Sequence, residues 1–453
     1  MNIDKQSNHS HLFQARGFRV VSLILAVIIA IAALICMFGN DILNSYGKNK
    51  AEDLFARAYP GSSLKIGELD YSVVANRLVV LSVTLNSSNS TLKAGRVSIA
   101  GIRWWRLIWG KPALTVLLTK ASLEADNLDM QFTKAKYGVR CARLRGSVPA
   151  SELLAQGVYL SPLINDSEIF APAFRTTRFR VYVAECKVSG LAYGELLEGS
   201  SYRAGTITIS RPYFDIFVDR YKPVEPFVKS PLMAQEALAS IDKPVQVDTL
   251  NITDGYLKYA EQVVAGAAPG VLTISKLNIL AHGIANRSKA ATAIRLQAQG
   301  NLMNAGLIKV VMTIPIGSPG FSLNYSGSLG AMDMTRLNAF LSNAEQLRIK
   351  SGSIQEVVFK INVANGQASG RVKAVYKDLR LAVRDKITGS EMGLKNQIAS
   401  LLMNNYKIQS TKSRDAAGRM REAEVKYTRK PPDEFLQFVW FALRSGILTV
   451  ISF

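Results

Sequence analysis

Ala121–Phe132, ASLEADNLDMQF, sets Leu123 and Ala125 on one side of the chain with Glu124 and Asp126 between them. That period of two is what a half-buried β-strand requires, because successive side chains point to opposite faces. The same period recurs in both directions from this stretch. Upstream stand Arg77–Leu85 (RLVVLSVTL) and Arg96–Ile99 (RVSI). Downstream stand Phe179–Cys186 (FRVYVAEC), Thr206–Val218 (TITISRPYFDIFV), Val245–Tyr259 and Ile354–Val363 (IQEVVFKINV). Asp254-Gly255, Asn365-Gly366 and the Pro-Gly pairs at Pro269 and Pro319 read as turns between strands. Short strands in series predict a mainly β protein: an elongated, curled antiparallel sheet forming an open groove, with a few helices.

The 453 residues are 48% apolar and 20% charged, which gives ample core and excludes a largely disordered chain. Three cysteines are too few for a disulfide-built scaffold. Cys36 lies in an apolar run, so Cys141 and Cys186 are the one remaining pair, either bridged or two buried thiols. Val20–Phe38, VVSLILAVIIAIAALICMF, has no charge over nineteen residues. At 1.5 Å per residue it reaches roughly 28 Å, enough to span a hydrocarbon core. Val20, Leu23, Leu25, Ile28, Ile31, Leu34 and Phe38 are its candidate lipid-facing side chains. The alternative, a cleaved signal peptide, calls for a shorter apolar run and a small-x-small site, and Cys36-Met37-Phe38-Gly39-Asn40-Asp41 offers none. Arg16 and Arg19 before the run, against Asp41 after it, put the N-terminus inside and the bulk of the chain outside. The expected organisation is a cytoplasmic tail (1–19), an anchor (20–38), a connector (39–60) made partly helical by Lys50–Ala58, an exported β domain (61–385), and a C-terminal region with amphipathic helices (386–453).

The net charge of +21 is uneven: Arg371–Lys430 holds fifteen Lys and Arg against six Asp and Glu. On a membrane-tethered domain such an excess points to anionic lipid surfaces before nucleic acid. Two helices are expected near this basic stretch. Leu394, Ile398, Leu401 and Leu402 form one apolar stripe within Glu391–Tyr406. Asp433–Phe453 follows Pro431-Pro432, a helix-start signal. Its Phe435, Phe438, Trp440, Phe441 and Arg444 are candidate membrane contacts; equally, the helix serves as a cap over the open end of the sheet.

Catalytic signatures are missing from the sequence: it has no nucleophile elbow, phosphate-binding loop, dinucleotide fingerprint or zinc-ligand spacing. The chain is therefore read as non-enzymatic, without cofactor or metal. Asp215 and Asp219 are the most conspicuous acidic pair, and a carboxylate pair is what glycoside chemistry would use; a solvated strand face is the plainer reading. His282, between Ala281 and Gly283, reads as a loop or a satisfied core histidine. Trp104, Trp105 and Trp109 beside Arg103 and Arg106 read as core or membrane packing before a nucleic-acid platform. A loose internal repeat is expected, with Arg106–Gly110 and Glu195–Gly199 as equivalent apolar-Gly steps between strands.

The order of these features resembles AsmA-like and TamB-like envelope proteins. The resemblance rests on Leu78–Leu85, Gly95–Ile99, the Leu107-Ile108-Trp109-Gly110 step, Ala121–Asp126, and Ile207–Ile209 through Arg211-Pro212 to Asp219–Pro223. Ile252–Tyr259 and Gly370–Leu379 extend it. It implies a Gram-negative inner-membrane protein with a periplasmic groove that moves phospholipid between membranes or supports outer-membrane assembly. Its expected partners are phospholipid or another acyl-chain lipid, the membrane and other envelope proteins, not nucleic acid. The chain is much shorter than the family's long members. Candidate groove-lining residues, from the alternation, are Leu123, Ile207, Ile209, Ile216, Val218 and Ile354. Two non-enzymatic functions are expected from this: lipid handling in an apolar trough, or a scaffold holding other proteins' strands at its sheet edges.

Overall fold

The computed structural model describes residues 48–58, 61–72, 75–103, 106, 114–226, 230–287, 293–318, 320–383, 410–416 and 418–452. The anchor Val20–Phe38, Trp104, Trp105, the Leu107–Gly110 step, Pro319 and the Glu391–Tyr406 helix lie outside the described residues. Among the described residues no helix is long and apolar enough to cross a membrane.

The fold is mainly β, with nineteen strands in one mixed sheet among the described residues. Helix α1 (Lys48–Ala58) precedes β1 (Ser63–Lys65), β2 (Glu68–Ser72), β3 (Arg77–Ser87) and β4 (Ser90–Ala100). Then come α2 (Leu114–Leu117), β5 (Ser122–Phe132), β6 (Tyr137–Ser147), β7 (Glu152–Pro162), α3 (Asp166–Ile169), β8 (Thr177–Ser189) and α4 (Tyr193–Glu198). Strands β9 (Tyr202–Ser210) and β10 (Tyr213–Val218) are followed by α5 (Ala234–Ala239) and β11 (Val245–Glu261). Next are β12 (Gly270–Ala285), β13 (Ala293–Leu302), β14 (Gly306–Pro315), β15 (Leu323–Leu329), β16 (Met332–Asp333) and α6 (Asn338–Ala344). The last elements are β17 (Leu347–Ala364), β18 (Gln367–Val383), β19 (Glu422–Thr428) and α7 (Phe435–Ser452). Strand β19 thus adds to the sheet from within the region expected to be helical.

Sequence neighbours pair antiparallel from β3 to β8 and from β11 to β15, and β17, β18 and β19 continue the ladder. The join between these halves departs from the expected all-antiparallel sheet. Strands β9 and β10 are one strand interrupted at Arg211-Pro212; both pair antiparallel with β8 and parallel with β11. The physical reason is the connection. Residues 219–244, with α5 inside them, are long enough to return the chain to the same end of the sheet, as a parallel pair demands. Of two expected turns, Asn365-Gly366 is one and Asp254-Gly255 is not. Asn365-Gly366 is a two-residue hairpin turn, with φ of 49° and 78°. Asp254-Gly255 is a bulge inside β11, where Asp254 takes φ 52° and the register with β12 shifts.

A line of phase changes, made without any shift of register, crosses β3 to β8. Ser82, Asn127 and Gly157, at φ 54°, 55° and 62°, lie on alternate strands β3, β5 and β7. The pairing of β3 to β8 skips one residue per strand along this line, namely Ser82, Gly95, Asn127, Ala142, Gly157 and Ala184. Each strand therefore bends at the same place, and apolar side chains keep to one face by a spacing of three: Val80 to Val83, Ala125 to Leu128, Ala155 to Val158. The spacing of three crosses Asn127, inside the very stretch whose alternation announces the fold.

Two cores cover the apolar face at its ends. Ala51 and Phe55 of α1, with Ile102, Leu117 and Leu118, pack on β1–β5. Phe438, Ala442 and Val450 of α7 pack on β14–β19. Helix α7 also shows how far the sheet curls. Thr177 Oγ1 of β8 donates to Glu434 Oε1 at 2.5 Å, while Lys426 N of β19 donates to Ser445 Oγ at 3.3 Å. In a flat sheet, β8 and β19 would be about 43 Å apart; Glu434 and Ser445 are about 16 Å apart along a helix. The C-terminal half wraps around α7.

Candidate functional site

Following the ladder register from strand to strand gives one apolar row. It runs Leu78, Ile99, Leu123, Gly146, Leu153, Val188, Ile207, Leu250, Ala281, Leu296, Met312, Tyr325, Ile361, Gly370, Val425. A second row, two residues along, runs from Val80 and Val97 through Ala155, Cys186, Ile209 and Ile252 to Phe359 and Val372. Between them, on the opposite face, lie Ser98, Glu124, Arg145, Lys187, Thr208, Asn251, Gln297, Lys360 and Arg371, with an occasional aliphatic residue. One face is thus apolar from end to end, across the parallel join as well.

What changes along the row is cover. Leu78 is 0% exposed at one end and Val425 1% at the other. On β6, β7, β8 and β9 no Leu, Ile, Val or Phe is buried; all are half-exposed or more. The uncovered stretch from β6 to β11 is four inter-strand steps, about 19 Å. On the N-terminal side Leu197 of α4 packs against the first core, and Tyr193 of α4 donates to Glu152 O at 2.5 Å. On the C-terminal side the stretch meets the start of α7.

Ile207 and Ile209 lie on the uncovered rows, half-buried, and Thr208 lies on the other face; Leu123, on β5, is half-buried against the first core. Ile216 is half-buried against the Val218, Tyr259 and Phe340 cluster. Val218 is fully covered and Ile354 is buried in the C-terminal core, so neither lines an open surface. Sequence reading missed β7 altogether, with Leu153, Ala155, Val158 and Leu160. Its alternation is broken at Gly157, which takes φ 62°, and the Gly itself was the available signal. Cys141 and Cys186 are free, on the same apolar face, with β7 between them. Burial pushes both thiols up from their ordinary range.

The five candidate membrane contacts on α7 are engaged inside the protein. Phe438 is 0% exposed and meets Phe321 edge-on at 4.9 Å. Phe435 also packs on Phe321, Phe441 packs on Tyr427, and Trp440 packs on Phe340. Glu345 Oε2 accepts from Arg444 Nη1 at 2.5 Å, and its Oε1 accepts from Trp440 Nε1 at 3.2 Å. In this arrangement α7 faces the sheet, because the curled C-terminal half supplies the apolar surroundings that a membrane otherwise would.

A charged cluster marks the parallel join. Arg178 of β8, 6% exposed, pairs with Asp215 at 2.9 Å and Asp166 at 2.5 Å; Lys258 of β11 stands 3.8 Å from Asp215. Asp219 accepts from Thr176 N and pairs with Lys222 at 3.2 Å. Both candidate acidic residues are thus held in ion pairs, and Asp215 lies on the face away from the apolar rows. On the apolar side, Glu261 accepts from Tyr259 and Arg220, and Gln437 Nε2 of α7 reaches Glu261 Oε1 at 3.3 Å. Burial first, then the Glu261 carboxylate, push the Tyr259 hydroxyl far up. His282 is exposed on β12 and hydrogen-bonds Thr249 at 3.2 Å, so it belongs neither to a loop nor to the core. Gly199 of the proposed repeat step is the left-handed C-cap of α4, at φ 63°. Among the described residues no three His, Cys, Asp or Glu side chains converge as metal ligands would.

No protein-family model matches the chain, and no curated protein matches it in sequence.

Proposed function

We propose that the chain is a lipid-handling protein of a cell envelope, holding phospholipid acyl chains on the uncovered apolar face of β6–β11. The observation that supports this is the contrast along one row: Leu78 and Val425 are sealed, while Leu153, Val188 and Ile207 between them are half-exposed on the same face. Apolar surface left continuous and open favours an apolar occupant, at about 25 cal/mol for each Å² removed from water. A stretch of about 19 Å accommodates the acyl chains of one leaflet, whose half-core is about 15 Å thick. We infer from the uncharged run Val20–Phe38 and the resemblance of the sequence to AsmA-like proteins that this activity belongs at an inner membrane, with the sheet on the far side. A protein of this size would carry lipid over part of an envelope's width.

The test is native mass spectrometry of full-length protein extracted in detergent and washed. Wild type and Thr208→Asp are expected to retain phospholipid, and Ile209→Asp to lose most of it, since a carboxylate on the apolar row has no partner there. Retention that is equal in the two variants, or absent from all three proteins, refutes the reading. A strand-holding scaffold would give the latter result.

A further inference from the structure

Resting on that reading, we propose that α7 is a displaceable plug, which fills the C-terminal half of the trough and must withdraw before lipid can pass along β11–β19. The rows that are open on β6–β9 continue beneath α7 without a change of chemistry: Ile361, Val372 and Val425 are the same positions in the register. The helix therefore occupies the surface on which lipid would lie.

Three features distinguish α7 from a permanent cap. The first is its circumference. Phe438, Ala442 and Val450 are buried on the sheet, Leu443 and Ile447 pack half-buried against the same core, and the apolar surface continues past them to Leu436. A fixed surface helix carries a polar outer face; α7 leaves Leu436 42% exposed instead. The second is the nature of its tethers. Its side-chain tethers are few: Gln437 on Tyr259 and Glu261, Trp440 and Arg444 on Glu345, and Ser445 on Lys426 N, with Glu434, just before the helix, on Thr177. The third is the hinge. The helix turns back over β19 through Lys430-Pro431-Pro432-Asp433, a short segment closed by Asp433 N donating to Lys430 O at 3.0 Å.

A reversible lock tests this. A Cβ placed on Gly446 lies 3.2 Å from Val372 Cβ, close to the roughly 3.5–4.5 Å of a disulfide. The full-length Val372→Cys/Gly446→Cys protein, with Cys36, Cys141 and Cys186 replaced by Ala, is assayed for transfer of fluorescent phospholipid between vesicles. Bound phospholipid is measured in parallel by native mass spectrometry. The oxidised protein is expected to keep its bound lipid and to transfer about tenfold more slowly, with full recovery on reduction. Equal transfer in both redox forms, with lipid bound, overturns the plug and leaves the groove standing. Lipid missing from both forms overturns the groove and the plug together. Glu345→Gln, which loosens the Arg444 tether and introduces no cysteine, is expected to speed transfer about fivefold. An unchanged rate in that variant also overturns the plug.

Discussion

Replacing Gly446 by Ala sets two effects of opposite sign against each other, and the geometry decides between them. In an isolated helix the change stabilises by about 0.8–1 kcal/mol, since Ala loses less backbone entropy than Gly. Here the added Cβ would lie 2.6 Å from Val372 Cγ2 and 2.6 Å from Val425 Cγ2. Carbon atoms in contact prefer about 3.5–4.0 Å. Rotating the valines relieves the methyl contacts but leaves the 3.2 Å approach to Val372 Cβ, which the strand backbone fixes. Val372 and Val425 are 0% and 1% exposed in adjacent, fully laddered strands, so the helix must retreat rather than the sheet. Overpacking of this kind costs about 1–3 kcal/mol. The net expectation is a loss of about 1 kcal/mol in the docking of α7, a roughly fivefold faster hydrogen exchange of its amides. Exchange mass spectrometry on peptides covering Phe435–Ser452 reads this directly, and it needs no two-state unfolding of a long chain. Slower exchange in Gly446→Ala would mean that propensity wins and that α7 sits farther from β18 and β19 than these distances require.

Glu434 gives the docking of α7 a pH dependence. Burial pushes its carboxyl up, only partly offset by the Thr177 hydroxyl and Arg175, with Glu261 adding to the rise. A raised carboxyl pKa in the folded state favours the protonated form there, so docking is strongest at low pH and weakens as pH rises from about 4.3 through the folded value. Exchange of α7, corrected for intrinsic rates, should be slower near pH 4 than at pH 7 in wild type and lose that dependence in Glu434→Gln; loosening on acidification would contradict it. Asp215→Asn leaves the buried Arg178 with Asp166 alone, and the expected destabilisation is about 3 kcal/mol, the low end for a broken buried pair, read from the urea midpoint. An unchanged midpoint would refute the structural role given to Asp215. A reporter active only outside the cytoplasm, fused after Phe453, should be active, given Arg16 and Arg19 before the Val20–Phe38 run; activity of a cytoplasmic reporter there reverses the orientation.

The alternation in Arg77–Leu85, Phe179–Cys186 and Ile354–Val363 was enough to assign strands, because one face of each is apolar and the other polar. It was also enough to put Ile209 and Thr208 on opposite faces. It could not assign β7 or the phase changes at Ser82 and Asn127, since a left-handed residue replaces a spacing of two by a spacing of three and looks like noise within one strand. Only the alignment of six such positions across neighbouring strands shows them to be a bend. The parallel join was hidden for a different reason. Alternation is indifferent to strand direction, and the informative feature was the length of the 219–244 connection between two strand signals. Uncovered rows are less legible still. Leu78 and Val188 are alike as sequence, and what separates them is whether α1, α7 or nothing lies above, which is a property of the whole chain.

Continuity of the apolar rows poses a problem that the charged cluster at the join answers. Sliding β11 by two residues along β10 keeps every apolar side chain on the same face, so burial alone scarcely distinguishes the registers. Hairpin turns fix the register elsewhere in the sheet, but β10 and β11 are joined by a long crossover that sets none. In the observed register Asp215 stands opposite Lys258 on β11 and Arg180 on β8. A slip of two would put it opposite Tyr256 or Ala260, leaving Lys258 without an acid, and would draw the buried Glu261 of β11 away from Arg220, just beyond β10. An unpaired buried charge costs several kcal/mol, far more than two aliphatic partners differ by. We read the Asp215–Lys258 and Arg220–Glu261 pairs as the key that aligns the two halves, and with them the apolar rows. On this reading Asp215→Asn should lose more than stability. Its bound-lipid stoichiometry should become heterogeneous, because slipped joins interrupt the rows, whereas a variant that is merely less stable but aligned would keep a single stoichiometry.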